Sequence, residues 1–63
     1  MPDIGDRIRI TYRDGRKVEA ILRDIIPDAF PYIIFEIELD SGERKRIVFN
    51  DGTISCVETV EEK

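Results

Sequence analysis

Few side chains in this sequence are equipped to make or break covalent bonds. The 63 residues include no histidine, one cysteine (Cys56) and two serines, Ser41 and Ser55. A serine or cysteine nucleophile needs a neighbouring base to accept its proton, and neither serine has a recognisable one. Cys56 alternates with Ile54 in an apolar run near the end of the chain, which predicts a core position rather than a reactive thiol. The fourteen acidic residues are spread over turns and alternating segments, usually beside Lys or Arg, with no isolated carboxylate pair for acid–base work. One cysteine without histidine offers no zinc set and excludes an intrachain disulfide. No glycine-rich phosphate loop occurs. The sequence therefore predicts a non-enzyme, with no catalytic residue, metal, cofactor or small-molecule substrate.

Binding chemistry has more candidates. Pro27 and Pro31 bracket Asp28-Ala29-Phe30 and Tyr32 follows, and rigid aromatics on such a proline-flanked loop suit either stacking on a base or anchoring a peptide. The alternative role for Phe30 is to cover the end of the core. Arg9, Arg13, Arg16 and Lys17, with Arg7, cluster about one hairpin, where outward strand positions would aim them at phosphates. Opposing this, Arg9 is expected to face Glu19, and alternating charge also keeps strand edges from aggregating. Ile21, Ile34, Val48 and Val57 fall at outward strand positions. Ile34 and Val48 are expected to be cross-strand neighbours, so they form a patch suited to self-association or a protein partner.

Charge divides these possibilities. The net charge is −4, which argues against a general phosphate-binding surface. Residues 1–26 sum to +1, residues 27–43 carry five acids and no base, and Arg44-Lys45-Arg46 follows before an acidic end. The chain is bipolar. Its length allows one small domain, 1–63, with frayed ends at 1–5 and 61–63. A core this small is marginal without help, and oligomerisation is the remaining helper. No apolar run approaches the roughly 18 residues of a membrane span, and Met1-Pro2-Asp3 does not open a signal peptide, so a cytoplasmic, non-membrane protein is expected.

The elements that must position these residues are strands. Ile8, Ile10 and Tyr12, then Val18, Ala20 and Leu22, then Ile33, Phe35, Ile37 and Leu39 each alternate with mostly polar neighbours, the period of a strand with one face on a core. Asp14-Gly15, Ser41-Gly42 and Asp51-Gly52 mark hairpin turns. Three-residue loops at the first two turns set Ile10 against Val18, Arg9 against Glu19, Phe35 against Ile47, and Glu38 against Arg44. A two-residue turn at Asp51-Gly52 would set Phe49 against Ile54 and Ile47 against Cys56. The second strand, 17–26, loses its alternation at Arg23-Asp24, which predicts a bulge or bend. The expected architecture is all-β, a five-stranded, strongly bent antiparallel SH3-like small barrel. Tyr12, Phe35 and Phe49 point into its core.

The order of these elements resembles the Sm-like family. Asp14-Gly15-Arg16-Lys17-Val18-Glu19-Ala20-Ile21-Leu22 looks like that family's first motif, and Phe49-Asn50-Asp51-Gly52-Thr53-Ile54-Ser55-Cys56-Val57 occupies the place of its second. Asp28-Ala29-Phe30-Pro31-Tyr32-Ile33-Ile34-Phe35-Glu36 is similar to the segment leading into its third strand. Tyr32 replaces the family's base-contacting Asn, Asn50 or Asp51 stands where its Arg would be, and its N-terminal helix is missing. The resemblance covers most of residues 7–60 and implies a bent barrel that forms rings and binds RNA. The expected function is a non-catalytic, oligomeric binding module associated with RNA or single-stranded nucleic acid through Phe30, Tyr32, Arg9, Arg13, Arg16 and Lys17. The alternative is a protein-interaction or self-assembly module with no nucleic-acid role.

Overall fold

The computed structural model describes residues 2–61; Met1, Glu62 and Lys63, which belong to the expected frayed ends, lie outside the described residues. Five strands follow one another: β1 (Arg7–Tyr12), β2 (Lys17–Ile26), β3 (Ile34–Glu38), β4 (Arg44–Val48) and β5 (Ile54–Thr59). They form one antiparallel sheet in the order β4-β3-β2-β1-β5. No helix among the described residues is long and apolar enough to cross a membrane.

Local chemistry accounts for the first two hairpins. Gly15 and Gly42 take φ of +94° and +89°, the left-handed region that closes a three-residue loop. The amide of Gly15 donates to Tyr12 O and that of Gly42 to Leu39 O. With that loop length the registers are fixed: Ile8 opposes Ala20, Arg9 opposes Glu19 and Ile10 opposes Val18, while Phe35 opposes Ile47 and Glu36 opposes Arg46. A slip by one residue would turn every apolar side chain of a strand outward. The break in β2 is also present. Register with β3 shifts between Leu22 and Asp24, so Arg23 is the extra residue of a bulge and the strand bends there.

The core lies on one face of this sheet. Ile8, Ile10, Ala20, Leu22, Phe35 and Ile37 are at most 1% exposed, and Ile47 and Ile54 join them from β4 and β5. No other layer exists among the described residues to cover that face. A single sheet can seal its own face only by bending over itself, which the bulge in β2 allows. Phe49 packs on Phe35 with ring centroids 5.6 Å apart, and Tyr12 is half-buried at the margin of the core.

Two expectations need correction. The last strand does not form a hairpin with β4; it crosses to β1, where Ile10 opposes Val57 and Ile8 opposes Thr59. Either pairing would occupy an edge, but only the second lets Ile54 and Val57 close the core on the β1 side. β5 also carries a bulge opposite Thr11/Tyr12, with Thr11 facing Cys56 and Tyr12 facing Ile54. Ser55, the extra residue, inverts the alternation. Cys56 is therefore exposed rather than core, and Val57 is packed against the core rather than outward. The start of the chain is tied down as well: Gly5 N–H donates to Leu22 O at 2.7 Å, and Leu22 N–H to Asp6 O at 2.9 Å.

The bulge makes a prediction opposite to simple alternation. Val57→Ser should lower unfolding free energy by about 1–2 kcal/mol through lost apolar burial. Cys56→Ser should change it by less than about 0.5 kcal/mol. Urea midpoints of the two variants measure this; the reverse order would mean that β5 runs without its bulge.

Candidate functional site

The arginines of the first hairpin are largely engaged with carboxylates. Arg9 donates to Glu19 at 3.2 Å and lies 3.5 Å from Glu58. Arg7 reaches Glu19 and Asp40, both at 3.1 Å. Arg16 donates to Asp14 at 2.8 Å and lies over the Tyr12 ring, 4.6 Å from its centroid. The same pattern continues across the outer face, where Arg23 and Arg44 hold Glu38 while Arg44 and Arg46 flank Glu36. Of the residues expected to contact phosphate, Arg13 and Lys17 have no carboxylate partner among the described residues.

These pairs hold their carboxylates ionised. Hydrogen bonds from Arg7 and then Arg9 push the Glu19 pKa down, Arg23 followed by Arg44 does so for Glu38, and Arg7 does so for Asp40. Arg7 is in turn raised, chiefly by Asp40. Exposed pairs of this kind contribute little individually, so they shape the surface more than they hold the fold.

The aromatic loop is built differently. Phe30 is 94% exposed and Tyr32 54% exposed, so Phe30 does not cover the end of the core. The loop is nonetheless anchored. Asn50 Nδ2 donates to Pro31 O at 2.9 Å, and Ile33 N–H donates to Asn50 Oδ1 at 2.8 Å. Tyr32 N–H closes a turn onto Ala29 O at 2.8 Å, and Phe49 N–H bonds Ile33 O at 2.7 Å. One amide side chain thus reads both a carbonyl and an amide of the loop from across the chain. Ile26, Pro27, Phe30, Pro31, Tyr32 and Ile33 line a shallow groove of about 380 Å³ here.

The outer face extends this apolar surface. Ile26 opposes Ile34, and Ile34 opposes Val48, giving a half-buried row across β2, β3 and β4 that borders the loop. Ile21 lies apart, on the outer face between Arg7 and Glu38. The expected patch of Ile34 and Val48 therefore joins Phe30 and Tyr32, while Ile21 and Val57 do not contribute to it. The first hairpin is reached from this corner through the 49–53 linker. Thr53 O accepts from Arg13 N–H at 3.0 Å, three residues after the Asn50 clamp.

Both sheet edges carry features that discourage strand addition. Lys45 opposes Ile37, which puts a charged residue at a core-side position of edge strand β4. The Ser55 bulge interrupts edge strand β5. Inward charges and bulges are common means of blocking edge-to-edge pairing.

Asn50, Pro27 and Ile26 were not singled out as site residues from the sequence. The two prolines gave a signal for a rigid loop; nothing local gives one for Asn50, whose loop partners lie 17 and 19 residues away. Comparison with protein-family models, with curated proteins and with solved structures gives no match.

Two measurements test this account. Asn50→Ala should speed amide exchange at Ile33 by about fivefold, the loss of roughly 1 kcal/mol of hydrogen bonding, with Ile37 unchanged. The lowered pKa values of Glu19, Glu38 and Asp40 mean that the unfolded chain binds more protons than the folded one. Their stabilisation is complete above the ordinary carboxylate range near pH 4 and disappears as pH falls through the lower folded values. Arg7→Gln should make the urea midpoint fall less steeply between pH 6 and 3 than in the parent.

Proposed function

We propose that this protein is a non-catalytic protein-interaction module that engages its partner through side chains of the aromatic loop. The observation carrying this reading is the exposure of Phe30, 94%, on a loop clamped to the rest of the fold by Asn50. A large aromatic held in water on an anchored loop loses little conformational freedom on binding, which is the economy of an interface anchor. Proline, isoleucine and tyrosine around it provide the apolar area that a protein contact buries.

Strand addition is a poorer route, given Lys45 on β4 and the bulge on β5. The RNA-associated reading draws support from the linker, which brings Arg13 to the side of the fold that holds the aromatic loop. Against it, Arg9 and Arg16 already have carboxylate partners, and Asp51 lies along that linker. The balance favours a protein ligand.

A photo-crosslinking amino acid placed at position 30, with a second version carrying it at position 13, separates the two readings in cells. The expected result is a protein adduct at position 30 that survives ribonuclease and is lost in Tyr32→Ser. Adducts at both positions that ribonuclease removes would contradict the proposal and favour the nucleic-acid role.

A further inference from the structure

The aromatic corner has a charge of its own. Asp24, Asp28 and Asp51 stand in the three segments that surround it: the end of β2, the loop itself and the 49–53 linker. Asp28 lies between Pro27 and Phe30, which both line the groove. Asp24 shares the outer face with Ile26, in a row with Glu36 and Arg46 next to the Ile26–Ile34–Val48 row, and its carboxylate accepts from Ile25 N–H at 2.8 Å. Asp51 follows the Asn50 clamp and is bound only to Thr53, at 3.0 Å through its amide and 2.6 Å through its hydroxyl. None of the three has a basic partner among the described residues, whereas Glu19, Glu36, Glu38, Asp40 and Glu58 all do.

Of the carboxylates carried by the strands, Asp24 alone lacks a basic partner among the described residues. Outside the strands Asp3, Asp6, Glu43 and Glu61 lack one as well as Asp28 and Asp51, but those four lie outside residues 24–33 and the 49–53 linker. From this we infer that the groove takes a segment of another protein that is both apolar and positively charged: side chains such as Leu, Ile or Pro on the groove floor, with Lys or Arg reaching Asp24, Asp28 and Asp51. The inference rests on the protein-interaction reading above and adds the chemistry of the partner. Open carboxylates beside an apolar groove raise the association rate of a cationic segment and disfavour an acidic one. A guanidinium or ammonium next to the exposed Phe30 face also gains a cation–π contact. A polyanion would meet Arg13 at the far end of the linker but the carboxylates of Asp28 and Asp24 along the groove itself.

A library of random dodecapeptides selected on the immobilised full chain tests this, with enriched peptides then synthesised and titrated. The expected peptides carry net positive charge beside two or more apolar residues. Their Kd should weaken about tenfold with Phe30→Ser and about threefold or more with Asp28→Lys. Both positions are exposed, so these variants keep the fold. Enriched peptides that need Phe30 but are neutral or acidic, or that ignore Asp28→Lys, would overturn the charge inference while leaving the protein-interaction reading intact. Selection that yields no Phe30-dependent peptide would overturn both.

Discussion

A single sheet whose apolar residues share one face has to serve as its own cover. That constraint organises this molecule. With no helix and no second layer among the described residues, six side chains reach 1% exposure or less only because the sheet bends over them. The bulge at Arg23 allows the bend, and β5 completes the cover by running beside β1 instead of returning along β4. The 49–53 linker must then pass from one edge strand to the other. Its course brings Asn50 to the aromatic loop and Thr53 to the first hairpin. The anchored loop is thus a consequence of how the core is closed.

Surface charge is divided in a second way. Rows of arginine and carboxylate cross the outer face, with Glu19 held between Arg7 and Arg9 and Glu38 between Arg23 and Arg44. Each link is weak, but together they leave few free charges on that face and favour one strand register. The corner around Phe30 departs from this pattern in being apolar and aromatic, with Asp24, Asp28 and Asp51 left without a basic partner among the described residues. An account of what the protein binds has to begin from that departure, because the rest of the face offers mainly satisfied ion pairs.

Much of the fold was legible in the sequence, and the reason is locality. The registers of the first two hairpins follow from Gly15 and Gly42 and from the alternation beside them, and the bend in β2 from its broken alternation at Arg23-Asp24. The position of β5 was not legible, because Ile54 alternates equally well beside β4 or β1 and only closure of the core chooses between them. Ser55 was missed for a related reason: an extra residue opposite Thr11 and Tyr12 is invisible until the partner strand is known, and it exchanges the roles of Cys56 and Val57. At the site, the two prolines and two aromatics announced a loop. The Asn50 clamp and the exposure of Phe30 depend on tertiary contacts with no local signature.

The course of β5 is the central claim, since it closes the core and directs the linker to the loop. Cross-strand nuclear Overhauser effects in the 63-residue chain read it most directly. The account predicts backbone contacts between Ile10 and Val57 and between Thr11 and Cys56, with a side-chain contact from Asn50 to the Ile33 amide. Backbone contacts between Ile47 and Cys56 in their place would show β5 folded back on β4 and would contradict it.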